Sequence, residues 1–118
     1  MSAYTLPIGS LFDRLTELLI ELEKVGMEYA EARGAYETIE DQKKPYLSIL
    51  AEQTEGSQAS KESKAYSHPK WQEYLTKLSV ARLDYYKAQS KYELIKTKLD
   101  ALRTMISTRK EEIKKFES

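Results

Sequence analysis

The chain contains no cysteine, only 4 glycines, 3 prolines and 1 histidine in 118 residues. Without cysteine there are no disulfide staples, no thiolate metal site and no thiol nucleophile. So few glycines and prolines leave little material for the turns of a β-rich fold. The lone histidine, His68, sits beside Pro69; capping a helix there explains it better than general-base work. No Gly-rich phosphate loop and no metal-spaced histidine pair is present, and the carboxylates are spread as solvated helix faces rather than as a convergent pair. The expectation is a protein that is not an enzyme and carries no cofactor or metal. The longest apolar run is Leu18-Leu19-Ile20, far short of a membrane span, and the opening MSAYTLPIGS lacks the basic start and apolar stretch of a signal peptide. A cytoplasmic protein without a membrane partner is expected.

What remains is 32% charged and 41% apolar residues, rich in Ala, Glu, Lys and Leu, the composition of long helices. Net charge is zero but unevenly spread. Residues 10–55 hold 5 cations against 11 anions, a net of −6, and residues 56–118 hold 14 cations against 8 anions, a net of +6.

Hydrophobic residues repeat every seven. In the first half the a and d positions are Leu15, Leu18, Leu22, Val25, Tyr29, Ala32, Tyr36, Ile39, Lys43, Tyr46 and Leu50. In the second they are Trp71, Tyr74, Leu78, Ala81, Tyr85, Ala88, Tyr92, Ile95, Leu99, Leu102, Ile106, Arg109, Ile113 and Phe116. Such spacing predicts coiled-coil packing. Ser10 and Asp13 suggest a capped start after a turn at Pro7 and Gly9, and Pro45 predicts a kink or break. The polar stretch TEGSQASKESK, 54–64, reads as a linker in which 61–66 has acceptable helix propensity, and His68-Pro69 as a second start.

The expected fold is all-α: one domain over 1–118, a long antiparallel two-helix coiled-coil hairpin. Helix one runs over about 10–54, the linker over about 55–67 and helix two over about 68–116. Matching Leu50 to Trp71 puts Tyr36 opposite Tyr85, Tyr29 opposite Tyr92 and Leu15 opposite Ile106. A two-helix seam makes a thin core that usually needs more burial. Leu11, Phe12, Leu19, Ile20, Leu94, Ala101 and Met105 lie off the seam toward one end, so a homo-oligomer is expected through them.

The cations of helix two are the functional lead. Lys91, Lys98, Arg103, Arg109, Lys110 and Lys114 recur along one element, and Arg109 falls on the seam, where an unpaired guanidinium is costly to bury. They either pair with acids or hold an anion such as single-stranded DNA, an electrostatic role that oligomerisation would multiply.

The stretches SKESKAYSHPKWQEYLTKLSVA and DALRTMISTRKEEI resemble a family of small helical proteins of tailed bacteriophages. The matching positions are Glu62, Ala65, Ser67, Trp71, Leu75, Leu78 and Ala81, then Asp100, Ala101, Leu102 and Arg103, then Arg109, Lys110, Glu112 and Ile113, within roughly 60–114. That family is similar to UvsY-type recombination mediators, oligomers of helical hairpins that load a recombinase onto single-stranded DNA coated by single-strand-binding protein. The resemblance implies a non-catalytic recombination accessory protein, with Arg103, Arg109 and Lys110 as DNA contacts supported by Lys114, and a phage or host recombinase and single-strand-binding protein as further partners. The competing expectation is a coiled-coil adaptor or inhibitor of a host protein complex, docking through the acidic helix one and without a DNA role.

Overall fold

The computed structural model describes residues 7–117. Four helices follow one another: α1, Ile8–Asp41; α2, Lys43–Glu52; α3, Gln58–Tyr66; and α4, Pro69–Glu117. The chain is an all-α helical hairpin and forms two compact units. Among the described residues, unit I combines those up to Tyr29 with those from Ala88 onward, and unit II spans Ala30–Lys87.

The helix boundaries follow from individual residues. α1 starts at Ile8, two residues before the expected Ser10, because the Pro7 carbonyl already accepts from the Ser10 and Leu11 amides at 3.0 and 3.3 Å. Gly9 is therefore helical rather than part of a turn, and the Ser10 amide takes its bond from the backbone. The first long helix ends at Asp41, four residues before Pro45. Proline has no N–H for the carbonyl four residues back and its ring crowds that carbonyl, so the break falls at Gln42.

The linker holds more order than its composition suggests. Gly56, at φ +127°, reverses the chain where a side chain would be strained. Ser57 then caps α3, its hydroxyl accepting from the Ser60 amide at 3.2 Å, and the Lys64 ammonium donates to the Glu55 carbonyl at 3.1 Å. Nine residues expected as mostly linker thus form a helix whose one fully buried side chain, Ala65, plugs the unit II core. α4 opens as expected: His68 Nδ1 accepts from the Lys70 amide at 3.0 Å, the N-cap bond that Pro69 at the first helical position favours.

In unit I the seam is aliphatic. Leu11, Leu18 and Val25 of α1 are buried against Ile95, Leu99, Leu102 and Ile106 of α4, with Leu15, Leu22, Tyr92 and Met105 packed around them. Leu11 is only 3% exposed, which corrects its expected place in an oligomer interface. Counting seven back from Leu18 puts it at a d position, so the repeat begins one step earlier than Leu15 and Leu11 faces the partner helix. Tyr29 meets Tyr92 with ring centres 5.3 Å apart, the pairing the repeat predicts. Gly26 lies alongside, where a Cβ would stand 3.5 Å from the Tyr92 ring.

In unit II the seam is aromatic. Tyr36 stacks on Tyr85 at 5.5 Å, again as the register predicts, and Tyr46 stacks on Tyr74 at 5.0 Å. Trp71 stacks on Tyr74 at 5.5 Å and meets Tyr66 edge-on at 6.0 Å. Leu50, Ala51, Ala65 and Trp71 form its buried cluster. The Tyr74 hydroxyl donates to the Ile39 carbonyl. Burial, and after it the charge of Glu40, pushes the Tyr74 phenol above its ordinary pKa.

Candidate functional site

The seven-residue repeat sorts the surface of unit I into two sides. In an antiparallel pair the e positions of both helices flank one side of the seam and the g positions flank the other. Counted from the buried a and d residues, Phe12 and Leu19 of α1 and Lys96, Arg103 and Lys110 of α4 hold e positions. Arg14 of α1 and Lys91, Lys98 and Met105 of α4 hold g positions. Two independent contacts agree. The Lys110 ammonium lies 5.4 Å above the centre of the Phe12 ring on the first side, and Arg14, Lys98 and Met105 line one groove on the second.

The six candidate cations therefore do not form one face. Arg103, Lys110 and Lys114 lie with Phe12; Lys91 and Lys98 lie on the groove side; Arg109 sits between them on the seam. All but Arg109 are exposed. Residues seven apart share a face, whereas 91 to 103 and 98 to 110 are steps of twelve, so the recurrence of these six along one helix does not put them on one side of it. The same spacing brings in a residue missing from the six: Lys96 precedes Arg103 and Lys110 in steps of seven, 5.2 Å from the centre of the Tyr92 ring.

Acids on the same helix temper this row. Lys96 pairs with Glu93 and Arg103 with Asp100, both at 3.8 Å between exposed side chains. Such pairs hold loosely, contributing about 0–1 kcal/mol each, and leave their cations available to an incoming phosphate. Arg109 differs. One guanidinium nitrogen donates to Glu112 at 3.2 Å, while its Nε is enclosed and has no hydrogen-bond partner among the described residues. Its half-buried stem fills a seam position, so Arg109 is built into the hairpin as well as charged. The ion pairs Arg14–Glu17 and Arg33–Glu37 likewise join residues three or four apart on one helix.

The apolar residues divide in the same way. Phe12, Leu19 and Ile20 on α1 are 41, 44 and 66% exposed, and Leu94 on α4 is 53% exposed. Met105 is half-buried and, with Leu11, Leu18, Ala101 and Leu102, lines the groove of about 520 Å³ that Arg14, Lys98 and Ser10 border. Met27, absent from the expected interface, is 60% exposed and stands seven residues from Ile20, the spacing that identifies it as part of the same strip.

Unit II has a separate cavity of about 630 Å³ lined by Glu40, Asp41, Lys43, Lys44, Leu47, Tyr66, Trp71 and Leu75. Glu40 and Asp41 are sequence neighbours, about 100° apart around the helix axis, so they do not converge as an acid–base pair would, and two lysines offset their charge. No protein family, no curated protein and no solved structure matches this chain.

Proposed function

We propose that the chain is a non-catalytic, self-associating helical hairpin that holds single-stranded DNA along α4 and serves a recombinase as a phage recombination accessory protein. The observation that carries this reading is the row of Lys96, Arg103 and Lys110 at seven-residue intervals, extended by Lys114, with the exposed Phe12 ring under Lys110. A row of cations follows a phosphate backbone, and an aromatic ring beside it offers a face on which a base stacks, worth about 1–3 kcal/mol per base in other single-strand binders. Self-association would repeat the row and turn weak single sites into avid ones. The resemblance of residues 60–114 to phage proteins akin to recombination mediators supports the same reading.

A second reading, a protein-binding adaptor with no DNA role, draws on one observation. Unit I holds ten cations and ten anions, so its field over distance is weak, and only the local row favours a polyanion.

Fluorescence anisotropy of a labelled single-stranded oligonucleotide separates the two. Binding that weakens steeply between low and near-physiological salt is expected. The double variant Arg103→Glu/Lys110→Glu should abolish it with helicity intact and, where residual binding is measurable, lower the log–log salt slope by about 1.4, two contacts at ~0.7 each. Arg109 is left in place because its stem packs on the seam. A flat titration at both salts eliminates the DNA reading and leaves the adaptor.

A further inference from the structure

We propose that the unit II cavity binds a zwitterionic amino acid with an aromatic side chain. This goes beyond the reading above and does not depend on it. The cavity, about 630 Å³, falls within the roughly 300–1,000 Å³ of small-molecule sites. Its lining divides by chemistry. Glu40 and Asp41 close α1, and Lys43 and Lys44 open α2, so one wall carries charges of both signs over positions 40–44. Leu47 of α2, Tyr66 at the end of α3, and Trp71 and Leu75 of α4 make the apolar remainder. Tyr66 and Trp71 meet at 86°, a right-angled aromatic corner in which Trp71 is 4% and Tyr66 55% exposed.

Two observations point to a ligand that carries both charges. Lys43 occupies a seam position, where the repeat calls for an apolar side chain and a lysine costs stability. It is half-buried, and neither it nor Lys44 takes part in any of the ion pairs described above. Glu40 is half-buried too, and its Oε2 is enclosed without a hydrogen-bond partner among the described residues. Residues four apart on a helix, such as Glu40 and Lys44, are close enough to pair, yet no ion pair joins these two. Arg82 of α4, which also feels the Glu40 charge, is committed first to Tyr36, by a hydrogen bond and a ring contact at 5.8 Å. The acids and the lysines thus keep unused capacity for a partner of each sign. An ammonium answers Glu40 and Asp41, and a carboxylate answers Lys43 and Lys44. In an α-amino acid the two groups sit on one carbon, as compact as the wall that faces them. A purely anionic ligand would meet the acids with like charge, and a purely apolar one would bury all four charges unpaired. The aromatic side chain enters the corner, where Tyr66 and Trp71 receive a third ring.

Titration of the full chain with L-phenylalanine, followed by amide and indole N–H chemical shifts, tests this. The shifts should saturate and concentrate in residues 40–47 and 66–75, which hold the cavity lining. Phenethylamine lacks the carboxylate and 3-phenylpropanoate lacks the ammonium. Each should bind about tenfold more weakly or worse, because one charge-assisted contact is lost. L-Alanine, the same head without the ring, should leave the shifts unchanged. Lys43→Leu restores the repeat, so it should unfold at higher urea, yet bind L-phenylalanine about tenfold more weakly and phenethylamine as before. Lys44→Ala, at an exposed position, repeats this arm if Lys43→Leu loses helicity. Glu40→Gln keeps the shape, and should weaken L-phenylalanine by a similar factor while sparing 3-phenylpropanoate. The proposal is overturned if L-phenylalanine moves no resonance up to its solubility, if 3-phenylpropanoate binds as well as L-phenylalanine, or if either charge variant binds it like wild type. None of these substitutions touches Arg103 or Lys110, so the DNA reading and this one fail separately.

Discussion

Unit I and unit II build a core from the same seven-residue repeat with different side chains. Unit I fills most of its a and d positions with Leu, Val and Ile, and seven of these are buried to 7% exposure or less with two helices alone. Unit II places Tyr36, Tyr46, Trp71, Tyr74 and Tyr85 at such positions. Tyr36 and Tyr85 are only half-buried between two helices, and close burial returns where α3 adds Ala65 against Trp71 and Leu50. Branched aliphatic side chains enter the holes of a facing helix completely. A tyrosine ring is longer, keeps its hydroxyl near water and packs by stacking on a partner ring. An aromatic seam therefore needs either a third element or small neighbours. Here it has both: α3 near Trp71, and Ala32 and Ala81 among the tyrosines.

Trp71→Ala is expected to damage the molecule most. It removes the ring that stacks on Tyr74, meets Tyr66 and covers Ala65, and should cost about 3–5 kcal/mol, read by urea unfolding. Hydrogen exchange should show the loss concentrated in residues 46–78. Leu99→Ala, the matching truncation in unit I, should cost about 2–4 kcal/mol, with exchange accelerating around residues 11–25 and 92–106. If both truncations accelerate exchange equally throughout, the two cores share a single cooperative unit and the contrast between them has no thermodynamic meaning.

Smaller changes sharpen the role of the third helix. Gly56→Ala forces a Cβ onto backbone at φ +127° and within 3.2 Å of the Ser60 hydroxyl, and should cost about 1 kcal/mol or somewhat more. Ser57→Ala removes the α3 cap and should cost about 1 kcal/mol. Both should raise quencher access to Trp71 while leaving unit I exchange unchanged. The smallest expected effect is alkaline. The folded pKa of Tyr74 lies above the ordinary 10.0 of the free phenol, so its contribution is complete below pH 10 and is lost as pH rises through the folded value. Tyrosinate absorbance and helicity followed together should show unit II loosening above pH 10, and Tyr74→Phe should make that loss less steep.

Much of the fold could be read from spacing. Pairing Leu50 with Trp71 placed Tyr36 on Tyr85 and Tyr29 on Tyr92, because one register of an antiparallel repeat determines all the others. Pro45 announced a break, and His68-Pro69 a start. Leu11 falls outside a repeat that starts at Leu15, yet it lies seven residues before Leu18 and shares its buried face. α3 gives no spacing signal because Gln58–Tyr66 is mostly polar; its signals are the Gly56-Ser57 turn and cap before it and Ala65 inside it, and both gain meaning only against the partner helix. The cations were visible as residues but not as faces. Distance along a helix says little about direction until each position is referred to the seam, which separates Lys98 from Arg103 only five residues on.

Trp71 carries a last consequence. It is the chain's sole tryptophan, 4% exposed, and it lies in unit II with two tyrosine rings within 6.0 Å. Light absorbed by those tyrosines passes to it, so the molecule contains an optical reporter that sees one core and is blind to the other. Far-ultraviolet dichroism sums the helices of both. A melt followed by emission and by dichroism on one sample therefore needs no label to tell whether the aliphatic and aromatic seams come apart together.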